Sequence, residues 1–535
     1  MMSETFSNVN KRFKSACKSV FGQEIGELSD YAEWLSEEMR PVIRGKSCLS
    51  GKDVTFSSPF PPKDGKFVAF SEVDFFTRPL ALKSSDLEGI SAVKKAIKER
   101  IIYCGNVVLG NSMNVESSTN VIDCLDVYGS EHIAYSKGVG YTCEGSYNES
   151  IFGCNGIGQS SFLIRCFGLQ KSTRCFECMR SDSCSDCFLS AGLNGCKDCI
   201  FCFNLKNKQY CIGNAQLSRE EYSQVKERLI SEIVSALKRD GRLIPLVALA
   251  EKAPADYSML KRAHAKLSTA KKGETLERKK VQRVFSETFK LILGKEHGDM
   301  DWFDRWLTHD IMRCEQAVSC ASGRPIAVWE YANYMTFPKK RLLSLEESEL
   351  LGEMLAIPKE SALGIALSNA AKEISPIAFF SPEWHVGVEK NVIESPLNVR
   401  STNMYKCVLG VESKNCAFSY VPRNSENSFG SYLVRLSAFA IRCFKSAKLR
   451  RCFECDSCRD CSDLLFCHNC ESCNDCMFCF NAKNLRYAIG NCEMPREEYL
   501  KVKARILEEV NSELSGKKGL STTILSLSGA AARAR

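Results

Sequence analysis

Between Cys452 and Cys479 the chain places cysteine at 452, 455, 458, 461, 467, 470, 473, 476 and 479, and only Leu464 breaks the three-residue period. An earlier stretch keeps the spacing at Cys175, Cys178, Cys184, Cys187, Cys196, Cys199 and Cys202. Few backbones can carry such a pattern on one face. Side chains alternate along a strand, so residues three apart point to opposite faces. In an α-helix each three-residue step turns by about 300°, and nine steps drift by about 540°. What remains is a chain of tight turns, as in metal knuckles, or the short arcs and corners of a solenoid.

A slower period favours the solenoid. Pairs separated by two residues recur at Val121/Cys124, His132/Tyr135, Gly140/Cys143, Ile151/Cys154, Leu163/Cys166, Cys175/Cys178, Cys184/Cys187 and Cys196/Cys199. Their starts are 11, 8, 11, 12, 12, 9 and 12 residues apart, with Ser, Asn and Gly between them. Uneven rungs of about 11 residues with small inward residues suggest a β-solenoid or coil-rich array.

The chain also repeats at long range, which must be settled before any fold is assigned. Arg165–Glu232 aligns without a gap to Arg442–Glu509 at an offset of 277: RCFEC, FCFN and REEY each occur twice in step. A weaker match at offset 272 relates Trp34–Leu35 to Trp306–Leu307 and SCLSG at 47–51 to SCASG at 319–323. The expectation is an α+β chain made of two copies of a unit of about 270 residues. Each copy has a helical leader (3–40 and 281–320), a mixed Pro-bearing segment, a cysteine-rich array and a closing helix. The corresponding segments are 1–102, 103–240, a basic linker 241–280, 281–390, 391–515 and a flexible tail 516–535. In 218–238 the residues Tyr222, Val225, Leu229, Ile233 and Leu237 share one helical face, and Ser218 with Glu221 forms a capping-box signature. Tyr499, Val502, Ile506, Val510 and Leu514 repeat the face in the second copy, where Pro495 suits the first turn.

Composition narrows the class. With 44% hydrophobic and 25% charged residues among 535, wholesale disorder is excluded. The longest nearly pure apolar run, Leu243 to Ala250, is far short of the roughly 20 residues of a membrane span. The N-terminus offers no apolar signal core, so the expectation is an intracellular, reducing compartment in which the 30 cysteines are thiols or metal ligands. The region Ser258–Arg283 carries nine Lys or Arg against two Glu, nearly the whole net charge of +8. It reads as a solvated linker or, through Lys261–Arg283, as a contact for nucleic acid.

Two cysteines separated by two residues can chelate zinc from a tight turn, and two such pairs complete a four-thiolate site. The first copy offers Cys175, Cys178, Cys184 and Cys187, then Cys196, Cys199, Cys202 and Cys211. The second offers Cys452, Cys455, Cys458 and Cys461, then Cys467, Cys470, Cys473 and Cys476. His468 lies within this second ladder. Buried reduced thiols are the competing reading, because cysteine packs well as a small core residue. Leu464 and Ala488 stand where the first copy has Cys187 and Cys211, and Leu193 stands where the second has Cys470. A strict four-ligand site tolerates no such loss. An iron–sulfur run lacks its fourth cysteine and following Pro.

No HExxH, GxSxG or P-loop is present. Gly156–Gly158 starts but does not complete a dinucleotide fingerprint. Cys48 and Cys320 sit in matched SC-x-SG segments, which read as structural turns because no nearby histidine recurs with them. Trp34 and Trp306 read as core anchors.

The segment CFNLKNKQYCIGNAQLSREEY at 202–222 resembles the closing motif of uncharacterised cysteine-rich repeat proteins of environmental microbial and viral genomes. STNVIDCLDVYGSEHIAYS at 118–136 is similar to their rungs, and the second copy departs from the motif at Ala488. The resemblance implies a cysteine-rich solenoid and carries no catalytic residue.

Together these features point to a non-enzymatic scaffold of two cysteine-rich modules, stabilised by zinc, that binds a protein partner or self-assembles. Neither a membrane nor a small-molecule substrate is indicated. Nucleic-acid binding through zinc knuckles and the basic linker is one alternative, and thiol-based redox or metal handling is another.

Overall fold

A computed structural model describes residues 3–37, 39–40, 42–75, 82–260, 277–329 and 337–529. It is α+β: helices flank two arrays of short parallel strands. No described helix is long and apolar enough to cross a membrane. The chain divides into two compact units, each assembled from three separate stretches.

The first unit comprises 1–41, 107–272 and 316–384. Its array holds a ten-stranded and a seven-stranded sheet. Parallel neighbours lie twelve residues apart, as in Lys137↔Glu149↔Ser161↔Thr173 on one side and Glu131↔Cys143↔Asn155↔Phe167 on another, except where the array begins and Val108 meets Val121 at thirteen. Twelve residues therefore make one rung, with four inward positions. The core cluster of this array, from Val121 through Cys124 and Val127 to Cys211, uses one phase of a three-residue period without exception. The residue before each inward position has a positive φ, for example +56° at Asn120, +49° at Asp123, +56° at Arg165 and +53° at Phe201. A single left-handed residue in every three turns the chain by a corner, so that each third side chain returns to the interior. Asn, Asp and Gly take this conformation most readily. Here Arg, Phe and Leu take it too, held by the rungs on either side.

The regular rung corrects the uneven one expected from sequence. His132/Tyr135 and Gly140/Cys143 are out of phase: the inward residues are Ile133 and Ser136, then Val139 and Thr142. The sequence signal was read from bulky and cysteine residues, and half of the inward positions are serine, threonine, asparagine or glycine in this region.

The leader is one helix, Glu4–Phe21, followed by two short turns. Ser3 caps it by accepting the Phe6 N–H at 3.1 Å, and Gly22 ends it at φ +76°. Its buried face packs along an outer column of the array: Phe6 on Tyr128, Phe13 on Phe152 and Phe21 on Phe176, at ring separations of 5.0, 5.2 and 5.0 Å. Seven or eight helical residues rise about 11 Å, close to the roughly 10 Å of two strand spacings, so the two ladders stay in step. The closing helix Arg219–Asp240 carries the expected capping box between Ser218 and Glu221.

The second unit comprises 42–106, 273–315 and 385–535. Its array has a ten-stranded and a three-stranded sheet with the same twelve-residue register. Its core, Val434 through Cys443 and Cys452 to Ala488, again occupies one three-residue phase. The helix Arg278–Leu293 takes the leader's place, with Phe285 on Phe429 at 5.3 Å. Arg496–Lys517 closes the unit, with Pro495 as its N-cap. The expected segments 1–102 and 281–390 are thus each divided between the two units.

Both SC-x-SG segments are hairpin tips. The Ser47 and Ser319 hydroxyls accept backbone N–H groups of the following turn, and Gly51 and Gly323 take φ +74° and +72°.

Candidate functional site

The chemistry of this chain is concentrated inside the arrays, in four columns of inward residues that run from rung to rung. In the first array one column reads Val127, Val139, Ile151, Leu163, Cys175, Cys187, Cys199 and Cys211. It lies within strands, where neighbouring rungs bond through the sheet ladder, as at Cys187↔Cys199↔Cys211. The next column reads Ser118, Ser130, Thr142, Cys154, Cys166, Cys178, Ser190, Cys202 and Asn214. It lies between strands, where the inward residue's own N–H turns to the side chain one rung earlier. Ser130 takes the Thr142 N–H at 3.1 Å, Thr142 takes that of Cys154 at 3.4 Å, and Cys154 sulfur takes that of Cys166 at 3.4 Å. These hydroxyls and thiols in turn donate to the carbonyl two residues back, as Ser130 does to Tyr128 and Cys154 to Phe152. Cys124, Ser136, Asn148, Ser160, Ser172, Cys184 and Cys196 form a second column of this kind. The fourth column, from Val121 and Ile133 to Leu193 and Leu205, is largely apolar.

The second array follows the same plan. Ser395, Cys407, Ser419, Ser431, Cys443, Cys455, Cys467, Cys479 and Asn491 form an acceptor column, with N–H groups taken by Ser395, Ser419, Ser431 and the Cys479 sulfur. Leu449 and Leu485 interrupt its other acceptor column.

Every sequence-selected cysteine lies in these columns, and all are buried. Cys175, Cys187, Cys199 and Cys211 share one column. Cys178 and Cys202 lie in a second, Cys184 and Cys196 in a third. In the second array Cys452 and Cys476 hold the first of these columns, Cys455 and Cys467 the second, Cys461 and Cys473 the third, and Cys458 and Cys470 the column that in the first array runs through Ser181 and Leu193. The thiols touch in continuous chains: Cys187 meets Cys175, Cys184 and Cys199, while Cys470 meets Cys458, Cys467 and Cys473. Among the described residues no group of three or more His, Cys, Asp or Glu side chains is placed to hold one metal ion. Burial disfavours thiolate, and it pushes Cys17 and Cys407 up to about 12. Cys48 is exposed, and Cys314, Cys320 and Cys492 are partly so.

Sequence reasoning missed a buried ion pair that recurs in both units. Arg165 is fully buried, with Nε 2.9 Å from Glu177 Oε1, Nη1 donating to the Trp34 carbonyl at 2.6 Å, and its guanidinium 5.0 Å from the Trp34 ring. Glu177 Oε2 accepts the Leu246 N–H. The second unit repeats each contact with Arg442, Glu454, Trp306 and Ile524. Burial pushes both glutamates above the usual carboxylate range, and the facing arginine offsets this only in part. The signal was present at offset 277, in the RCF triplets that open the aligned block. These pairs tie leader, array and post-helix segment together. They are tethers in the core, not reactive groups.

His468 is also buried. Its Nδ1 lies 2.8 Å from Asp456, its Nε2 accepts the Cys104 N–H at 2.8 Å, and Lys445 reaches Asp456 at 3.3 Å. The Cys104 thiol is directed to the Gly105 carbonyl at 3.7 Å and burial pushes its pKa up. Both histidine nitrogens are committed to fixed partners, so this Asp–His–Cys grouping does not activate the thiol as a nucleophile.

Residues 261–276 of the basic linker lie outside the described residues. Of its described cations, Arg278 pairs with Asp299 and Asp301, Lys280 with Glu277, and Arg283 with Glu287. The chain matches no family model, no curated protein and no solved structure.

Proposed function

We propose that the chain is a non-enzymatic scaffold of two β-solenoid modules, copies of one unit, with interiors packed by reduced thiols and hydroxyls. The rigid outer faces are the working surfaces, and a protein partner binds there. The observation that carries this reading is the division of labour among the columns. Cysteine occupies both the apolar columns and the acceptor columns, and in each it does what a packed residue must do. In the first it fills volume, like the Val, Ile and Leu above it. In the second it takes an N–H, like the Ser and Thr beside it. The substitutions at Leu464 and Ala488 fit the same account, because both fall in the strand-side column, where no acceptor is required, while Leu193 lies between strands with its own N–H on Ser181 at 3.2 Å.

The test is bound metal and free thiol per chain, measured on protein purified anaerobically, with alkylation before and after denaturation. The expected result is no stoichiometric zinc, fast labelling at Cys48, slow labelling at the three partly exposed cysteines and protection of the rest until unfolding. Two to four zinc ions per chain, with unfolding on chelation, would replace packed thiols by structural metal sites.

A further inference from the structure

We propose that neither half of the chain contains a complete unit, because each half lends its mixed segment to the array of the other. The closing end of each array is then a docking surface whose occupant is the mixed segment of a second copy of the unit, supplied here within one chain. The proposal rests on reading the two halves as copies.

The composition of the units is the first observation. The unit built on the first array contains 316–384 from the second half, and the unit built on the second array contains 42–106 from the first. The contacts that seat these segments are the second, because they match one to one. In the first unit Asn204 donates from Nδ2 to the Phe379 carbonyl at 3.0 Å, and in the second Asn481 donates to the Ile102 carbonyl at 2.8 Å. Donor and acceptor are both displaced by 277, but in opposite directions along the chain. Phe203 meets Phe380 edge-on at 5.6 Å, and Phe480 meets Tyr103 edge-on at 5.7 Å. Arg228 of one closing helix donates to the carbonyls of Leu363 and Ile365, and Arg505 of the other donates to the Leu87 carbonyl. Gly213 and Gly490, both with positive φ, give room to Ile357 and Ile97, whose side chains would meet a Cβ at 2.3 and 2.4 Å. A segment packed on its own half's array would give none of these pairings.

The pattern is that of a segment-exchanged dimer whose two subunits are joined end to end. The docking surface is built from Asn204, Phe203, Gly213 and Arg228, or from their counterparts. It selects its occupant by one carbonyl, one aromatic edge and one branched aliphatic side chain.

The full-length chain tests this directly. A protease site is inserted within 261–276, and a photoreactive phenylalanine analogue replaces Ile357 in one variant and Ile97 in another. The folded protein is cut, irradiated and run under denaturing conditions. The expected result is a covalent product joining the two fragments in both variants, mapped by mass spectrometry to the neighbourhood of Gly213 and of Gly490. Photoproducts confined to one fragment in both variants overturn the exchange and leave the two-copy reading standing. A joined product from only one variant overturns reciprocity, and the reading of the halves as copies falls with it. Leu363 and Leu87 are the second positions if either isoleucine variant does not fold.

Discussion

The column scheme makes an uncommon demand: the same pair of substitutions should have opposite ranks at two buried cysteines of one array. Valine is larger than cysteine and cannot accept a hydrogen bond, and serine is smaller and can. At Cys154 the sulfur accepts the Cys166 N–H at 3.4 Å. Cys154→Val strands that buried N–H, a cost of about 1–3 kcal/mol. Cys154→Ser restores the acceptor in the form already used by Ser130 and Ser160. At Cys187 the N–H groups belong to the sheet ladder and the column above holds Val127, Val139, Ile151 and Leu163. Cys187→Val puts in the kind of residue this column holds on other rungs and should be near neutral, whereas Cys187→Ser keeps the thiol's donation to the Ser185 carbonyl but leaves volume unfilled and should lose about 1 kcal/mol. In a unit of this size one kcal/mol moves the melting midpoint by about 2–4 °C. Cys154→Val should therefore melt roughly 2–12 °C lower and Cys154→Ser near the parent, while at Cys187 serine should melt below valine. Calorimetry resolving the two units is the assay, since a chain of two units is not two-state as a whole. Equal ranking at both positions would refute the division into acceptor and apolar columns.

Three further outcomes follow from the geometry. Lys171 and Ser472 are exposed with φ +47° and +53°. A left-handed residue other than glycine costs about 1–2 kcal/mol and glycine's extra chain entropy about 0.5–1, so Lys171→Gly and Ser472→Gly should raise stability by up to about 1 kcal/mol, whereas valine at either site should lower it. A loss on glycine in denaturant titrations would show that the left-handed corners carry no strain. Glu177→Ala leaves the fully buried Arg165 with only the more distant Glu37 carboxylate, 3.6 Å from Nη1, and should cost about 3 kcal/mol, while Arg165→Met with Glu177→Met should recover much of it. A double variant as unstable as the sum of the singles would show that the pair is not coupled. Burial opposes ionisation of Asp310, but Arg442 and His309 outweigh it and hold the carboxyl at about 2. Its contribution is present above the ordinary aspartate range near pH 4 and is lost as pH falls toward 2. Asp310→Asn should flatten that acid limb in a stability profile.

The three-residue ladder excluded straight helices and strands, and the closing helices, the capping box at Ser218 and the phase of Cys154, Cys166 and Cys175 to Cys211 could all be read from the residues. The rung length could not be fixed, because Ser118, Ser130, Thr142, Gly145 and Asn148 hold inward positions and look like loop composition. Their inward role depends on a left-handed corner before each of them, and φ is not written in side-chain pattern when Arg165, Leu189 and Phe201 adopt it. The buried Arg–Glu pairs left only the repeated RCF triplet as a sign, since Arg165 and Glu177 are twelve residues apart and only the register places one above the other. The exchange of mixed segments has no local signal at all.

If the interior is a packing solution shared by both arrays, differences in what they bind must come from the corners and outer faces, and there the halves diverge. The corner column that carries Tyr135 and Tyr147 in the first half carries Glu412 and Asn424 in the second. The two tyrosines stack at 4.9 Å with rings 12° apart and remain about half exposed, at 48% and 59%. At the equivalent site Glu412 pairs with Arg400 and takes the Asn424 amide at 2.8 Å. One rung spacing thus presents an aromatic step in one array and a charged, hydrogen-bonded one in the other, on the same backbone geometry. Side chains at the solvent-facing left-handed corners project away from the thiol-lined core, so they can change without cost to it. The two modules of the proposed scaffold accordingly offer different chemistry to a partner while keeping Gly153, Arg165 and Glu177 in step with Gly430, Arg442 and Glu454. In this architecture the frame is conserved in the column that meets the leader segment, and specificity is free to vary in the column that meets solvent.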